Sequence, residues 1–408
     1  METSIVRFIG GLVGERRACS RRAAAAALWL FGAALGCAPR PSTDSAASPS
    51  APAPGAPGAA APSLAEKYAP LFPIGAAVDS GSIHSHEAVL ARHFNSITTE
   101  NEMKFESLEA TEGVFDYSTA DAMVALARSH GMKVRGHTLV WHRQTPAWMF
   151  QAPSGGKASA ELLRSRLQRH IENVVSHFKG SVYAWDVVNE AILDDGKYRT
   201  ANEPEVDQQS PWHGILGTSY IAEAFKAAHA ADPNAKLFYN EYRNYIPAKR
   251  QAVYEMLKQL LAQGVPVHGV GLQCHLNIEP SSDESNHGRY QTVTELEQAI
   301  ELYASLGLEV QVTELDLSVY VPGVKYTPEQ FFTVETFTDD VAARQAARYA
   351  EFFALFRKHA KVISGVTFWG VADDNTWLSE FSSGRKDFPM LFDTRHEPKK
   401  AFYAVMDF

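Results

Sequence analysis

Two glutamates stand in apolar segments that have the length and composition of buried β-strands. Glu314 lies in residues 310–317 (VQVTELDL), and Glu190 ends residues 182–190 (VYAWDVVNE). A carboxylate is costly to bury unless something uses it, although an acid where a strand ends can also simply face solvent. Two such strands suggest two carboxylates that face each other across one site. That pair is the minimum equipment for acid-assisted cleavage of a glycosidic bond.

The alternation of side chains along a strand predicts the two faces of the segment around Glu314. One face is expected to carry Val310, Val312, Glu314 and Asp316, and the other Gln311, Thr313, Leu315 and Leu317. The two acids are therefore expected on one side of the strand.

Eight strand-like segments alternate with segments of helical periodicity. The strands are predicted at 72–78, 96–100, 133–141, 182–190, 236–241, 267–276, 309–317 and 363–369. Helical spacing of apolar residues is evident at 160–177, 248–263 and 341–359. The alternation predicts an α/β fold, a (β/α)8 TIM barrel in a single catalytic domain over residues 64–408. A doubly wound open sheet would need a Gly-rich phosphate loop after the first strand, and none follows it.

The barrel predicts where the polar residues meet. Active sites of such barrels lie at the C-terminal ends of the strands. The unusual polar and aromatic residues of this sequence stand at or near those ends: Glu100, Asn101, His137, Trp141, Asn189, Glu190, Asn240, Glu241, Gln273, His275, Glu314 and Trp369. We therefore expect them to share one rim.

Five motifs in order carry a family resemblance. They are residues 99–104 (TENEMK), 136–142 (GHTLVWH), 185–190 (WDVVNE), 313–316 (TELD), and Trp369-Gly370 with Trp377 eight residues after Trp369. With these motifs, the sequence from about residue 65 to 408 resembles glycoside hydrolase family 10, the family of retaining endo-β-1,4-xylanases. The resemblance implies internal cleavage of xylan without a cofactor.

The resemblance also implies residue roles. Glu190 is expected to be the acid/base and Glu314 the nucleophile, with His275 and Asp316 supporting Glu314. Asn189 is placed to bond the sugar 2-hydroxyl, a contact that strengthens in the transition state.

Sugar binding needs flat apolar faces and planar hydrogen-bonding groups. By resemblance, His137 and Gln273 are expected to make polar contacts to the cleaved sugar. The next sugar toward the non-reducing end is expected to contact Glu100, Asn101 and Lys104. The aromatic faces are expected from Trp141, Trp369 and Trp377. Tyr242 is left open between stacking on a leaving-group sugar and packing. The loop 372–376 with Trp377 is expected to close the site around a sugar without a hydroxymethyl arm, which favours xylan over cellulose.

Neither the cysteine near the site nor the nearby histidines and acids are expected to take part in chemistry. Cys274 stands between Gln273 and His275 and is expected to point away from both, as a small buried group. No metal site is predicted: His84 and His86 are expected to be exposed or sugar-facing, and the adjacent acids at 373–374 are too few for Ca²⁺.

The N-terminal residues predict export. Arginines precede an apolar run of signal-peptide length within residues 1–37, and residues 38–63 form a Pro/Ala/Ser-rich linker expected to be disordered. Cys37 closes the run as in a bacterial lipoprotein signal, although Ala34 stands where Leu is usual. A lipid anchor and free secretion remain open alternatives.

Charge and composition bound the partners. The formal net charge is −9, and removal of residues 1–37 takes away five Arg and two Glu, leaving a more acidic chain. Without a basic stripe, nucleic acid is excluded as a partner. The predicted partner is a polysaccharide, and a monomer is expected. Rival hypotheses are a barrel cellulase or mixed-linkage glucanase, and a non-catalytic carbohydrate-binding protein, which would not need paired acids.

Overall fold

The structure is a computed structural model that describes residues 62–382 and 384–408. The predicted export segment, Cys37 and the linker up to residue 61 lie outside the described residues. All described residues belong to one compact unit, Ala59–Phe408. None of the helices formed by these residues is both long and apolar enough to cross a membrane.

A closed parallel sheet forms the centre of this unit. Its strands are β1 (Ile74–Val78), β2 (Ser96–Thr99), β3 (Lys133–Val140), β4 (Val182–Asn189), β5 (Lys236–Glu241), β6 (Gly269–Leu272), β7 (His275–Asn277), β8 (Glu309–Ser318) and β9 (Ile363–Phe368). Successive strands pair in parallel from β1 to β6, β6 pairs with β8, and β8 pairs with β9, which pairs with β1. Both β6 and β7 pair with β8 and occupy one position, so the nine strands form an eight-strand barrel, which confirms the predicted fold.

Helices follow the strands and cover the outside of the barrel. They are α1 (Leu64–Tyr68), α2 (Ser82–Ser85), α3 (Glu87–His93), α4 (Phe105–Leu108), α5 (Ser118–Ser129), α6 (Ala160–His177), α7 (Pro211–Leu216), α8 (Ser219–Ala231), α9 (Pro247–Ala262), α10 (Val293–Ala304), α11 (Asp339–Lys358), α12 (Trp377–Phe381) and α13 (Lys400–Met406).

The helix α6 illustrates how the sequence sets these elements. Ser159 caps its N-terminus by accepting a hydrogen bond from the backbone N–H of Leu162. Leu163, Leu167 and Ile171 recur at the spacing of one helix face, and all three are buried. Packing of such a stripe against the sheet supplies most of the stability of a helix in this position.

The sixth barrel position differs from the predicted continuous strand. It is divided into β6 and β7, and Cys274 between them has φ 61°, in the left-handed region. A residue there cannot continue a strand, so the chain turns before His275. The apolar run at 267–276 gave no sign of the break, because Cys is not a residue that typically marks one.

A buried charged group lies inside the barrel on β3. The guanidinium of Arg135 donates to both carboxylate oxygens of Asp186, at 2.5 and 3.3 Å, and to Gln311 at 2.6 Å. Its charge also lies 4.5 Å from the centre of the Phe238 ring. Four strands are thereby joined beneath the rim, and Asp186 is held as an ionised acceptor for the residues above it.

Replacement of Arg135 by methionine is expected to destabilise the fold by about 3–5 kcal/mol, because Asp186 would remain as a buried charge without its partner. Urea unfolding measures the loss. The matched control is Arg164→Met, which removes a half-exposed pair with Glu223 and should cost less than about 1 kcal/mol. Equal effects of the two variants would contradict this account of the interior.

Candidate active site

Glu314 on β8 is held by a donor at each oxygen. Oε2 lies 3.1 Å from Nε2 of His275, and Oε1 accepts from Nδ2 of Asn240 at 2.6 Å. The other ring nitrogen of His275 lies 2.7 Å from Oδ2 of Asp316, an oxygen that also accepts from the indole N–H of Trp377 at 2.8 Å. The proposed nucleophile is therefore a buried carboxylate aimed by two strands and a loop.

The charge of His275 follows from these contacts. Burial lowers its pKa, but the carboxylates of Asp316 and Glu314 outweigh burial and raise the pKa to about 10. The ring is therefore an imidazolium at neutral pH, and each of its N–H groups donates to one carboxylate. The proposed nucleophile therefore accepts a hydrogen bond from a charged donor.

The same shift predicts a pH dependence of stability. The pKa of His275 rises from about 6.5 in an unfolded chain to about 10 in the fold, so its stabilising contribution is full below pH 6.5. It is lost as the pH rises from there through about 10. Thermal midpoints across this window should fall less steeply for His275→Gln than for the wild type. Exposed His84→Gln is the control and should follow the wild type; identical slopes for His275→Gln would refute the assignment.

The alternation predicted along β8 fails after Val312, although Glu314 and Asp316 lie on one side as predicted, since both contact His275. Between Val312 and Leu315, β8 advances three residues while β9 advances two, from Val366 to Phe368. This extra residue is a bulge, which turns a side chain toward the face of its neighbour. Thr313 and Glu314 accordingly both bond to Asn240, although strict alternation places them on opposite faces.

Gly271 on β6 makes room for Asn240. A Cβ at this glycine would lie 2.1 Å from Oδ1 of Asn240 and 2.9 Å from Cγ2 of Thr313. Neither contact is possible for a larger residue without displacing the amide. The glycine therefore permits the hydrogen bond between Asn240 and Glu314.

Glu190 follows β4 and is surrounded by different donors. Oε2 accepts from the indole N–H of Trp141 at 2.8 Å, and Oε1 from Gln273 at 3.1 Å and Asn189 at 3.2 Å. Its backbone has φ 59°, which is uncommon for a residue with a side chain. Arg199 holds this conformation by donating from Nε to the Glu190 carbonyl at 3.0 Å.

The pKa of Glu190 reflects competing causes. Burial raises it, but His142 and the donors Gln273 and Trp141 lower it to about 2. His142 acts this way only while protonated, and burial lowers its own pKa to about 3. At neutral pH the ring of His142 is uncharged and does not contribute to this lowering. Exclusion of water by a bound sugar raises the pKa of Glu190, toward the protonated form that an acid needs.

Amide groups connect the two glutamates. Asn240 donates from Nδ2 to Glu314 and, at 2.9 Å, to Oδ1 of Asn189. Asn189 donates in turn to Glu190, and Gln273 donates to both Asn189 and Glu190. These amides hold both carboxylates in place, and the Gln273 donor also lowers the pKa of Glu190.

The remaining predicted sugar-binding residues lie in the segment after β2, on or directly after β3, and between the end of β9 and the start of α12. Nδ1 of His137 lies 3.0 Å from Asp186, and the ring of Trp369 stands edge-on to His137 at 5.3 Å. Trp377 packs at 4.8 Å from the ring of His275. These three aromatic rings and Glu314 thus belong to one contact network.

Lys104 lies between the second strand and the proposed acid. Its ammonium donates to Asn101 at 3.1 Å and to Gln144 at 2.7 Å, and it lies 4.9 Å from the centre of the Trp141 ring. Burial lowers the pKa of Lys104, while Glu314, Glu100 and other acids raise it. The structure places Lys104 and Trp141 together and keeps Glu100 within electrostatic reach.

Tyr242 follows β5, and one part of its ring is covered by protein. Nζ of Lys249 lies 3.2 Å from the ring centre, and the hydroxyl accepts from Arg199 at 3.1 Å. Stacking of a sugar on Tyr242 stays a prediction, with only the side away from Lys249 available to it.

Sequence reasoning assigned no role to several residues that position the site. They are Asp186 beneath His137, Asn240 beside Glu314, Arg199 beneath Glu190, His142 beside Trp141, and the buried pair Glu241–Lys249. Asn240 and Glu241 were expected on the rim, and Asp186 and His142 were inside recognised motifs, but what each of them holds in place depends on contacts with other strands. Arg199 and Lys249 lie in a loop and a helix, where Arg and Lys are common and carry no signal.

His86 and Cys274 are both buried. His86 is 2 % exposed, so the expectation that it is exposed or sugar-facing is wrong; it packs under the segment around Asp374, whereas His84 is exposed. Cys274 is buried, and burial with the nearby acids Asp316 and Glu314 raises the pKa of its thiol. The thiol is therefore held in its uncharged form.

The folded part of the chain is similar to known proteins over nearly its whole length. The family model described as glycosyl hydrolase family 10 matches residues 63–408. Similar curated proteins include endo-1,4-beta-xylanase B of Paenibacillus barcinonensis, 45 % identical over 84 % of this chain and 97 % of that protein, and a beta-1,4-xylanase of Dictyoglomus thermophilum, 44 % identical over 85 % and 91 %.

Solved structures of xylanases have a similar fold over a similar share of the chain. A crystal structure of a xylanase from Paenibacillus barcinonensis, complexed with a conduramine derivative, has a TM-score of 0.77 at 44 % identity and covers 86 % of this chain and 99 % of its own. An endo-1,4-beta-xylanase from Caldicellulosiruptor owensensis has a TM-score of 0.76 at 42 % identity, covering 85 % and 100 %.

Proposed function

Because the chain belongs to glycosyl hydrolase family 10, we propose that it is an endo-β-1,4-xylanase that hydrolyses internal bonds of xylan with retention of anomeric configuration. Relatives named as xylanases support the substrate over nearly the whole folded part of the chain. The observation that carries the proposal is the unequal environment of two acids that are connected by shared amides. Glu314 has an imidazolium beside it, whereas Glu190 is bound by neutral donors.

In the first step, the carboxylate of Glu314 attacks the anomeric carbon of the bound sugar. The glycosidic C–O bond breaks, and the proton of Glu190 goes to the departing oxygen. The product is a glycosyl ester on Glu314 and a shortened chain with a free hydroxyl. The imidazolium of His275 donates a hydrogen bond to the Glu314 carboxylate and keeps it in position until the bond forms.

In the second step, Glu190 is an anion and acts as a base. It removes a proton from water, whose oxygen attacks the anomeric carbon and releases Glu314. The covalent ester has removed the negative charge of Glu314, so the two carboxylates never have to be ionised and unshielded together. Asn240 and His275 receive the carboxylate as it is released.

The aromatic residues on the rim support a preference for xylose. Trp377 and Trp369 stand beside His275, where the cleaved sugar would lie over Glu314. Asn375 in the preceding loop donates to Asp79 at 2.9 Å, which fastens the loop to the end of β1. A fixed bulky wall leaves little room for a hydroxymethyl group, so xylan is favoured over cellulose.

Product analysis tests the proposal. On xylan, the protein should release a series of xylo-oligosaccharides, and the first anomer detected by NMR should be β. Carboxymethylcellulose and mixed-linkage glucan are the matched substrates and should be cleaved much more slowly. Faster cleavage of a glucan would favour the glucanase alternative, binding without new reducing ends would favour a carbohydrate-binding protein, and a first-formed α-anomer would exclude retention.

Export of the enzyme is proposed from sequence alone. The arginines and apolar run of residues 1–37 support a signal segment, and an extracellular polymer as substrate requires the enzyme to leave the cytoplasm. We propose lipid attachment at Cys37 or free secretion as the two forms, with a monomeric catalytic unit. Mass spectrometry of the mature N-terminus distinguishes them, since acyl chains add a characteristic mass to Cys37.

A further inference from the structure

Three side chains far apart in sequence meet beside the loop that precedes Trp377. Nε2 of His86 lies 3.0 Å from Oδ1 of Asp374, and Nε2 of His396 lies 3.1 Å from Oδ2 of the same carboxylate. The two imidazole rings are 4.2 Å apart between centroids, and a ligand atom from each of the three residues lies within 4.8 Å of the other two.

We propose that His86, Asp374 and His396 form a binding site for a divalent transition metal of the zinc class. Two imidazoles and a carboxylate are a donor set that suits such ions, whereas Ca²⁺ and Mg²⁺ prefer oxygen ligands only. Ligands at about 2.0–2.1 Å from one tetrahedral ion stand about 3.3 Å apart, and the three ligand atoms here lie within 4.8 Å of one another before any ion is bound. A small outward movement of Asp374 would admit the ion and leave a fourth position for water.

The surroundings of the two histidines fit this role. Nδ1 of the buried His86 lies 3.2 Å from the carbonyl of Ser82 and 2.8 Å from the hydroxyl of Ser85. A proton on Nδ1 donated to that carbonyl leaves the Nε2 lone pair for a metal, which is the usual arrangement around a ligating histidine. His396 and Asp374 are 29 % and 37 % exposed at their side chains, so an ion can enter from solvent.

The backbone at His396 adds a second constraint. Its φ of 66° is left-handed, and the turn is closed by hydrogen bonds from His396 N to Asp393 O and from Asp393 N to Glu397 O. A glycine would fit this conformation with less strain, so the imidazole is kept at a conformational cost. The three ligands come from the α2–α3 junction, the loop after β9 and the turn before α13. The sequence therefore gave no spacing signal.

An ion at this site would fasten three segments that surround the glycone side of the rim. Next to Asp374, the carboxylate of Asp373 accepts a hydrogen bond from Lys399 at 2.8 Å. Trp377, three residues after Asp374, donates to Asp316. Metal binding should therefore raise the thermal stability of the whole domain, since it favours the folded state alone.

The experiment uses the full chain, stripped with a chelator and then exposed to Zn²⁺ alone. The wild type should retain one more zinc ion per chain after gel filtration than His396→Gly or Asp374→Asn. Of these three proteins, only the wild type should have a thermal unfolding midpoint that zinc raises by several degrees. His396→Gly suits the left-handed turn, so it should fold; circular dichroism checks both variants.

A second cluster provides the matched control. Glu297, Glu301 and His359 also lie within metal-binding distance of one another on the outside of the barrel. His359→Gln should keep the zinc ion and the stabilisation. The proposal is overturned if the wild type gains no stability from zinc, if either His396→Gly or Asp374→Asn binds as tightly as the wild type, or if His359→Gln removes the ion.

Discussion

Glu314→Ala is expected to reduce kcat on xylan by about 10⁴-fold or more, the scale of loss seen when a nucleophile is removed from an enzyme. The covalent step has no substitute in this site, because the other acids nearest the sugar are bound elsewhere. Asp316 is engaged with His275 and Trp377, and Glu190 stands with Trp141 and Gln273. Initial rates of reducing-end release measure the effect.

A rescue experiment distinguishes loss of a nucleophile from loss of folding. Azide should enter the space left by Glu314→Ala and attack an aryl β-xylobioside with a good leaving group, forming the α-glycosyl azide by a single inversion. Glu309→Ala is the matched control on the same strand, since Glu309 pairs with Lys236 at the far end of β8. Retention of more than about a tenth of the activity in Glu314→Ala would exclude Glu314 as the nucleophile.

The barrel was predictable because its strands are continuous apolar runs separated by helical periodicity. Buried parallel strands read this way, since helices cover their outer faces. The bounds predicted for β5, 236–241, agree with the structure, and those for β4 and β8 differ by one residue. Periodicity carries no information on local irregularity, however. The break at Cys274 and the bulge after Val312 depend on how neighbouring strands pair.

Those two irregularities matter for the site. The bulge brings Glu314 to Asn240, and the break at Cys274 lets His275 begin a new short strand paired with the residues around Asp316. Strict alternation would have separated Glu314 from Asn240. The sequence identified which residues have the chemistry, whereas strand pairing determined which of them touch.

The interpretation of single polar residues depended on long-range contacts. His86 was expected to face solvent or sugar because it follows a strand in a polar segment, yet it is buried under Asp374 and His396, 288 and 310 positions away. Arg199 was not singled out at all, although its guanidinium holds the carbonyl of Glu190 and the hydroxyl of Tyr242. Neither partner set is encoded in local spacing.

Glu190→Ala is expected to lower kcat on xylan by about 10²–10⁴-fold, because the departing sugar oxygen would leave without a proton. The loss should depend on the leaving group. An aryl β-xylobioside whose phenol is already acidic needs no proton, so its first step should stay near the wild-type rate. Hydrolysis of the glycosyl ester on Glu314 should then become limiting, since no base activates water. A burst of phenol followed by slow turnover is the expected time course.

Azide again reports the role, with the opposite stereochemistry. An anion needs no general base, so azide should speed turnover of Glu190→Ala and give the β-glycosyl azide through two inversions. Glu205→Ala, an exposed acid in the loop after β4, is the matched control and should behave as the wild type. An equal loss of kcat/KM, which reports the first step, on xylan and on the aryl substrate would show that Glu190 does not protonate the leaving group. An α-azide would show that the ester on Glu314 does not form. Direct attack on the substrate inverts the anomeric carbon once and gives the α-product, whereas attack on the ester inverts it a second time and gives the β-product.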